Sequence, residues 1–361
     1  SEMKFIKECF SLVLMMILFS NCVAQESKLW DDFKNAKAQN VEPILPDFSY
    51  AGYKYSETGI PTVDYPIFDI TDYGAIPDDT ISDKKAIQKA IIAASKNGEG
   101  VIYFPKGKYF INTDADDSSI LKINSSKIVF RGEERDSTIL FFKTSLLPKD
   151  PNKLYSTPYA IQATSKQKEE YITKIIKNAE RETHRIHVEN ASKFQKGDWI
   201  KIKLKNNDSE LVKKDIYPLP LNPSWSKMIK QGVMVNELHQ IAKVTGNIIY
   251  LVEPIYYTIE SKYNWEVAKF SYIHHIGFEN LTFEGNWHKK FKHHRSAEDD
   301  GGWSIIRISR AINSWIKNVT FKNVNRAASF SASASCTALN VLIEGNYGHN
   351  AISAAGSTGI L

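Results

Sequence analysis

Three copies of one short motif constrain what this chain can fold into. Asn280-Leu281-Thr282-Phe283-Glu284-Gly285, Asn318-Val319-Thr320-Phe321-Lys322-Asn323 and Asn340-Val341-Leu342-Ile343-Glu344-Gly345 share one order of polar and apolar positions. The last two begin 22 residues apart, the length of one coil of a stacked β-solenoid. The same offset carries Ile308 to Phe330 to Ile352, and Ser309 to Ser331 to Ser353, so apolar positions stack inward. The first two copies lie 38 residues apart, and the excess is looped out between rungs near Trp287 to Trp303. No C-terminal cap follows the third copy, which predicts further rungs beyond Leu361.

A second stretch, Phe68 to Asn112, predicts the start of the solenoid. It reads as a short strand at Phe68–Ile70, an acidic turn over Asp72–Asp83, an amphipathic helix, then strand, turn and strand. Ser82 or Asp83 can cap the helix, because a short polar oxygen accepts the free amides of a first turn. Ala86, Ile87, Ala90, Ile91 and Ala94 recur at helical spacing. Gly98 stops the helix, since glycine enters the left-handed region without a Cβ penalty.

The residues Asp72-Tyr73-Gly74-Ala75, Asp78-Asp79, Asp83, Ala86-Ile87, Ala90-Ile91 and Gly100 through Tyr109 resemble the N-terminal cap of the pectate-lyase-like superfamily. That resemblance implies an all-β chain folded as a right-handed parallel β-helix with a capping helix at its N-terminal end. The wider layout is similar to secreted bacterial polysaccharide lyases, ulvan lyases among them. It does not specify the reaction, because one fold hosts lyases, hydrolases, epimerases and tailspikes.

With 42% hydrophobic and 12% aromatic residues, the chain is not wholly disordered. A net charge of +5 is modest, so polyanion binding must come from local clusters, and nucleic acid is not an expected partner. Residues 1–25 read as a leader. Ser1-Glu2 is an addition before Met3, Lys4 and Lys7 give a basic start, Phe10 to Phe19 is apolar, and Val23-Ala24-Gln25 offers a cleavage site. The run is too short to span a bilayer, so a secreted or periplasmic protein without a transmembrane segment is expected. Cys22 offers the alternative of an outer-membrane lipoprotein. After cleavage only Cys336 of three cysteines remains, which permits no intrachain disulfide.

Residues 26–66 read as an extended arm whose aromatics pack outside the body, 67–144 as cap and first rungs, and 271–361 as later rungs. Between them, 145–270 interrupts the pattern. It reads as a Lys/Glu-rich helix over Ser165–Glu182, then alternating strands near 198–204 and 248–253 around a Gly246-Asn247 turn. An inserted small antiparallel β subdomain is expected, with a Lys-rich surface suited to an anionic chain.

The looped-out segment Asn286–Trp303 concentrates chemistry. Trp287 and Trp303 can stack on sugar faces. His288, Lys290, His293, His294 and Arg295 can pair with carboxylate or sulfate groups. The alternative is a solvated charged loop whose tryptophans anchor it. Glu298, Asp299 and Asp300 are hard oxygen ligands for a possible Ca²⁺. Period-2 alternation turns Arg307 outward, and the repeat aligns it with Ser329 and Ala351, bringing Arg326 and His349 to the same edge.

An acidic, uronate-containing polysaccharide is thus the expected partner, cleaved by β-elimination. That reaction needs a cation to stabilise the carboxylate, a base for the C5 proton and a proton for the leaving oxygen. Arg307 or Arg326 suits the first role and His349 the second; His288, His293, His294 or Lys290 can assist the third. A glycoside hydrolase needs facing carboxylates instead, and Asp299 and Asp300, if on a strand, point apart. A non-catalytic, tailspike-like binding protein is the third reading.

Overall fold

The structure is a computed structural model that describes residues 27–361, apart from 42, 44 and 46. The leader expected over 1–25, with Cys22, lies outside the described residues. The described residues from Ser27 to Asp47 and those from Phe48 onward belong to two compact units. In the first, Lys28–Ala38 is a helix with Trp30 stacked on Phe33 at 5.3 Å, so the expected arm is helical in part. No helix among the described residues is long and apolar enough to cross a membrane.

In the second unit, parallel strands stack into a β-helix with two main faces. The first face runs through Gly100–Phe104, Ile128–Gly132, Gly277–Gly285, Trp315–Lys322 and Ala334–Glu344. The second contains Leu121–Ile123, Ile161–Thr164, Ser304–Ser309, Arg326–Ser331 and Asn350–Ala355. Alternation sends one set of side chains inward. Phe104, Phe130 and Phe278 stack at 5.4 and 5.2 Å, and Phe283 lies flat on Phe321 at 5.4 Å. The asparagines that open the repeated motif form their own ladder. Asn280, Asn318 and Asn340 take φ of 57°, 55° and 52°; the Asn318 side-chain amide donates to Asn280 Oδ1 at 2.8 Å and that of Asn340 to Asn318 Oδ1 at 2.9 Å. Asparagine tolerates this left-handed kink, which explains its recurrence at that position.

The helix Lys84–Asn97 buries Ile87, Ala90, Ile91 and Ala94 in the solenoid core and ends on Gly98 at φ 93°. Ser82 Oγ accepts from the Lys84 amide, but Asp83 does not cap the helix. Its carboxylate accepts instead from the Ile76 and Phe110 amides, both at 3.0 Å, tying the turn to the next strand. Burial pushes its pKa up to about 6, against the lowering effect of those two amides. On the other side of the first strands, Tyr53 and Val63 pack against Val101, Val129 and Trp315.

Two expectations are corrected here. The segment 165–182 is not helical, for it contributes the strand Glu170–Lys174. Ile161–Thr164, inside the expected insertion, is a solenoid strand paired in parallel with Ser304–Ser309. The six-stranded antiparallel sheet begins after it and includes Trp199–Asn206, Val233–Thr245 and Ile248–Leu251 around their own apolar core. Trp199 and Leu238 of this sheet, and Phe270 just after its strand Glu266–Lys269, meet Ile312 and Ala334 of the solenoid.

The 22-residue register also changes once. Val319 faces Val341, but Ile308 and Phe330 are followed by Ala354 rather than Ile352, and Arg307 and Ser329 by Ser353 rather than Ala351. The turn 345–349 is two residues longer than the turn 323–325, which slips the last strand by one inward–outward period.

Candidate functional site

One corner of the solenoid carries the long loops. Strands of the first face reach the second face through 112–120, 143–160, 286–303, 323–325 and 345–349 in successive rungs. The second face is therefore a floor, and the three long segments form a wall along it. Leu146 N–H donates to Gly302 O at 2.8 Å and Asn286 Nδ2 to Lys143 O at 3.2 Å, which joins adjacent loops edge to edge.

The tryptophans anchor this wall rather than face a ligand. Trp287 is 0% exposed and donates Nε1–H to Tyr347 O at 3.0 Å, while Trp303 is 4% exposed, with its amide on Asn325 Oδ1. An aromatic of this size buries about 150–250 Å², worth at most about 4–6 kcal/mol at about 25 cal/mol per Å². Turning Trp287 out to stack on sugar would forfeit that, so the substrate-binding role expected of both residues is not seen.

The carboxylates likewise have partners inside the loop. Asp299 takes a two-point bond from Arg295, Nε–Oδ2 at 3.0 Å and Nη2–Oδ1 at 2.8 Å, plus the Ser296 hydroxyl. Burial would raise its pKa, but Arg295, Ser296 and the Lys292 amide hold it below the usual carboxylate value. Arg295 is thus turned inward and also donates to Lys290 O, which removes it from the groove. Glu298 pairs with Lys289 at 2.6 Å. The three acidic residues point at three nitrogen donors and not at one another, so they do not form the hard-oxygen cage that Ca²⁺ requires. Nor do they lie on a strand: Glu298–Gly302 is a π-helical turn that aims Asp299 and Asp300 at different partners. His288 bonds Asn286 at the exposed rim.

Asp300 is the exception with chemical potential. Its side chain is 3% exposed, while that of His294 is 61% exposed, and His294 Nδ1–H donates to Asp300 Oδ2 at 2.7 Å. The His294 amide donates to Asp300 Oδ1 at 2.8 Å, and His294 sits at φ 60°. A left-handed conformation in histidine is strained and persists only where neighbours over-determine it. The carboxylate thereby fixes the ring and its tautomer and leaves Nε2 free as a proton acceptor. Burial alone would raise the Asp300 pKa, but the bonds from His294 and the nearby His293 hold it low. The His293 ring stacks on His294 at 3.6 Å and leans on His349 at 4.9 Å, and Phe291 meets His349 edge-on. Burial and the His293 charge lower the His349 pKa, which favours the neutral ring.

Two arginines border this cluster. Arg326 is held by Ser304 Oγ at 2.6 Å and Thr157 O at 3.2 Å and lies over the Tyr159 ring at 4.7 Å. It packs so closely on Gly301 that a Cβ there would meet Nη2 at 2.3 Å, so a larger residue at 301 would push the guanidinium from its place. Burial lowers its pKa, and the charges of Arg307 and Asp300 both reach it. Arg307 projects from the floor and donates Nη2–H to Ser331 Oγ at 3.0 Å, while its buried Nε has no partner. Its register neighbours form an outward ladder, Lys122–Gln162–Arg307–Ser329–Ser353, spanning about 19 Å at the usual strand spacing. At the Lys122 end the floor opens into a cleft of about 430 Å³ between Ile120, Leu147, Lys149 and Pro158. Neither this cleft nor Asp300 as partner of His294 was marked by a sequence motif. An Asp six residues from a His is unremarkable until a turn closes on it.

Comparisons with known proteins agree with the fold. Residues 67–216 match the family model for rhamnogalacturonase A/epimerase, pectate lyase-like, so this region is pectate-lyase-like as the cap residues imply. No curated protein matches the chain in sequence. Among solved structures, the tailspike gp49 of Pseudomonas phage LKA1 is similar with a TM-score of 0.52 at 12% identity, over 80% of this chain and 46% of that one. The gp54 tailspike of Acinetobacter baumannii bacteriophage AP22, solved with A. baumannii capsular saccharide, aligns at 0.43 and 15% identity over 80% and 46%. PfbA, a surface adhesin of Streptococcus pneumoniae, aligns at 0.36 and 14% over 78% and 38%. This chain spans less than half the length of these three proteins.

Proposed function

We propose that the second face and its loop wall bind an acidic polysaccharide outside the cytoplasm and cleave it by β-elimination. The observation that carries this reading is the His294–Asp300 pair, oriented and half-exposed, beside Arg326 at the edge of a ladder that contains Arg307. A uronate carboxylate lies against Arg326 or Arg307, which stabilise the negative charge that builds on it. His294 Nε2 takes the C5 proton, or His349 does so from the facing side. The C5–H electrons form the C4–C5 double bond as the C4–O bond breaks, and the leaving oxygen takes its proton from the imidazolium that the base has become or from water. Asp300 remains ionised throughout and holds the imidazole it orients.

Hydrolysis is the weaker reading of the same groove. It needs two carboxyl groups about 5–9.5 Å apart across a sugar, whereas Asp299 and Asp300 are engaged by Arg295 and His294. Incubation with a panel of uronate polysaccharides distinguishes the outcomes. Elimination yields products with the ultraviolet absorbance of an unsaturated uronate. New reducing ends without that absorbance would replace elimination by hydrolysis, and binding without either product would make the protein a tailspike-like receptor.

A further inference from the structure

The corner that gathers His293, His294 and His349 has the composition of a transition-metal site. Ligand atoms of His293, His294 and Asp300 all lie within 4.8 Å of one another. The His349 ring is centred 4.9 Å from that of His293. Three imidazoles from two loops therefore lie side by side, with a buried carboxylate behind one of them. We infer that these three imidazoles bind a single divalent transition metal of the zinc type, with Asp300 as the outer partner of His294.

Several features support that assignment. Imidazole is a preferred ligand of Zn²⁺, Cu²⁺ and Ni²⁺ and a poor one for Ca²⁺ or Mg²⁺, so the donor set selects the first group. Asp300 already accepts the His294 Nδ1–H at 2.7 Å. A metal-bound histidine almost always donates its other ring nitrogen to such an acceptor, which fixes the tautomer and directs the remaining nitrogen at the ion. Nitrogen ligands sit about 2.0–2.1 Å from zinc, so tetrahedral neighbours lie about 3.3 Å apart. The 4.8 Å spread is that of His293, His294 and Asp300, and His349 adjoins it through its ring on His293; closing the site takes rotation of the exposed His293 and His349 while His294 stays fixed. Of the cations nearby, Lys289 is neutralised by Glu298 and Arg295 by Asp299; Arg326 keeps its charge but points its guanidinium at Ser304 and Thr157.

Occupancy would consume the imidazole lone pairs that elimination needs, so the metal acts as an inhibitor of the site rather than its cofactor. The inhibition rests on the proposed elimination; the binding does not.

Isothermal titration of the full chain with ZnCl₂ tests the site without any substrate. One saturable Zn²⁺ per chain is expected, with affinity reduced at least about 10-fold in Asp300→Asn, in the range of outer-partner losses, and more in His293→Ala and His349→Ala. Replacement of His274, in a different corner, should change nothing, and CaCl₂ should give no comparable heat. Absence of saturable binding, or equal affinity in His293→Ala and His349→Ala, would overturn the assignment. Far-ultraviolet circular dichroism of each variant checks that it is folded, which matters most for the buried Asp300, since His293 and His349 are exposed. If zinc binds at the expected stoichiometry yet leaves polysaccharide turnover unchanged, the metal site stands and the proton role of His294 is lost.

Discussion

Two histidine–carboxylate clusters lie in different parts of the second unit, with similar chemistry and opposite surroundings. At the corner, His294 is 61% exposed over a buried Asp300. Inside the antiparallel sheet, His239 is 0% exposed, with Glu237 at 2.8 Å from Nε2 and Glu253 at 3.8 Å from Nδ1. Tyr256 lies parallel to the His239 ring and donates to Glu253, and its amide donates to Glu237. Leu238, between the two, donates its amide to Thr358 of the solenoid. The cluster itself faces the inserted sheet's own core, beside Ile200 and Ile202, while Leu238 on the other strand face meets the solenoid; it ties that sheet internally and offers no open face to a ligand. A histidine–carboxylate pair becomes a reactive group only where one imidazole nitrogen meets solvent; elsewhere it is a polar tie.

The largest expected difference separates activity from stability. His294→Ala should lower turnover on the true polysaccharide about 10²–10⁴-fold, the range for a general base, with the thermal midpoint nearly unmoved because the ring is mostly exposed. His239→Ala should do the reverse. It leaves buried carboxylates without their cation, a loss of about 3–5 kcal/mol, while the folded fraction keeps its activity. If His239→Ala abolished turnover in protein shown to be folded, the division between the clusters would fail.

The buried cluster also carries a pH signature. Burial would lower the His239 pKa, but the Glu237 bond and the charges of Glu253 and Glu237 raise it above the usual histidine value. A raised histidine contributes stability that is fully present below its unfolded value, about 6.5, and is lost as pH rises through the folded value. Glu253, raised chiefly by burial, works in the same direction. The urea midpoint of the wild-type chain should therefore fall as pH climbs above about 6.5, and His239→Gln should flatten that limb. A midpoint that rises over the same interval would mean that His239 is neutral in the fold.

The two clusters were unequally legible in the sequence. The motif spacing located the corner, because an 18-residue excursion between repeats can only leave the stack there. It also put Arg326 and His349 at one edge, with the loop that carries His293 and His294 as a wall beside them. What spacing does not encode is direction. Asp299 and Asp300 were read as strand neighbours facing apart, yet a π-helical turn gives each its own partner. Trp287 and Trp303 looked like sugar platforms because aromatic residues in a charged loop are ambiguous; area decides the matter, and area is known only once the loop closes. The two extra residues in 345–349 shifted Ala351 off the Arg307 ladder, since no repeat marks turn length. Residues 165–182 read as helix from their lysines and glutamates, but pairing with Glu266–Lys269 overrides that preference. Glu237 and His239 share a strand face by simple alternation, and nothing in their sequence says that the face is covered.

The smallest expected effect concerns how far the exposed site extends along the floor. Lys122 stands at the end of the ladder, two strands from Arg307, and borders the cleft between Ile120 and Pro158. It is solvent-exposed and far from the reacting pair, so its interaction with an anionic chain is the same in ground and transition states. Removal of such uniform binding raises KM and leaves kcat unchanged. Exposed ion pairs are worth about 0.2–1 kcal/mol, so Lys122→Ala should raise KM only about 1.5- to 5-fold. The effect should shrink as salt shortens the screening length below about 10 Å. A kcat loss in Lys122→Ala, or a KM change that persists at 1 M salt, where the screening length is about 3 Å, would move the reacting centre toward the cleft and away from the histidines.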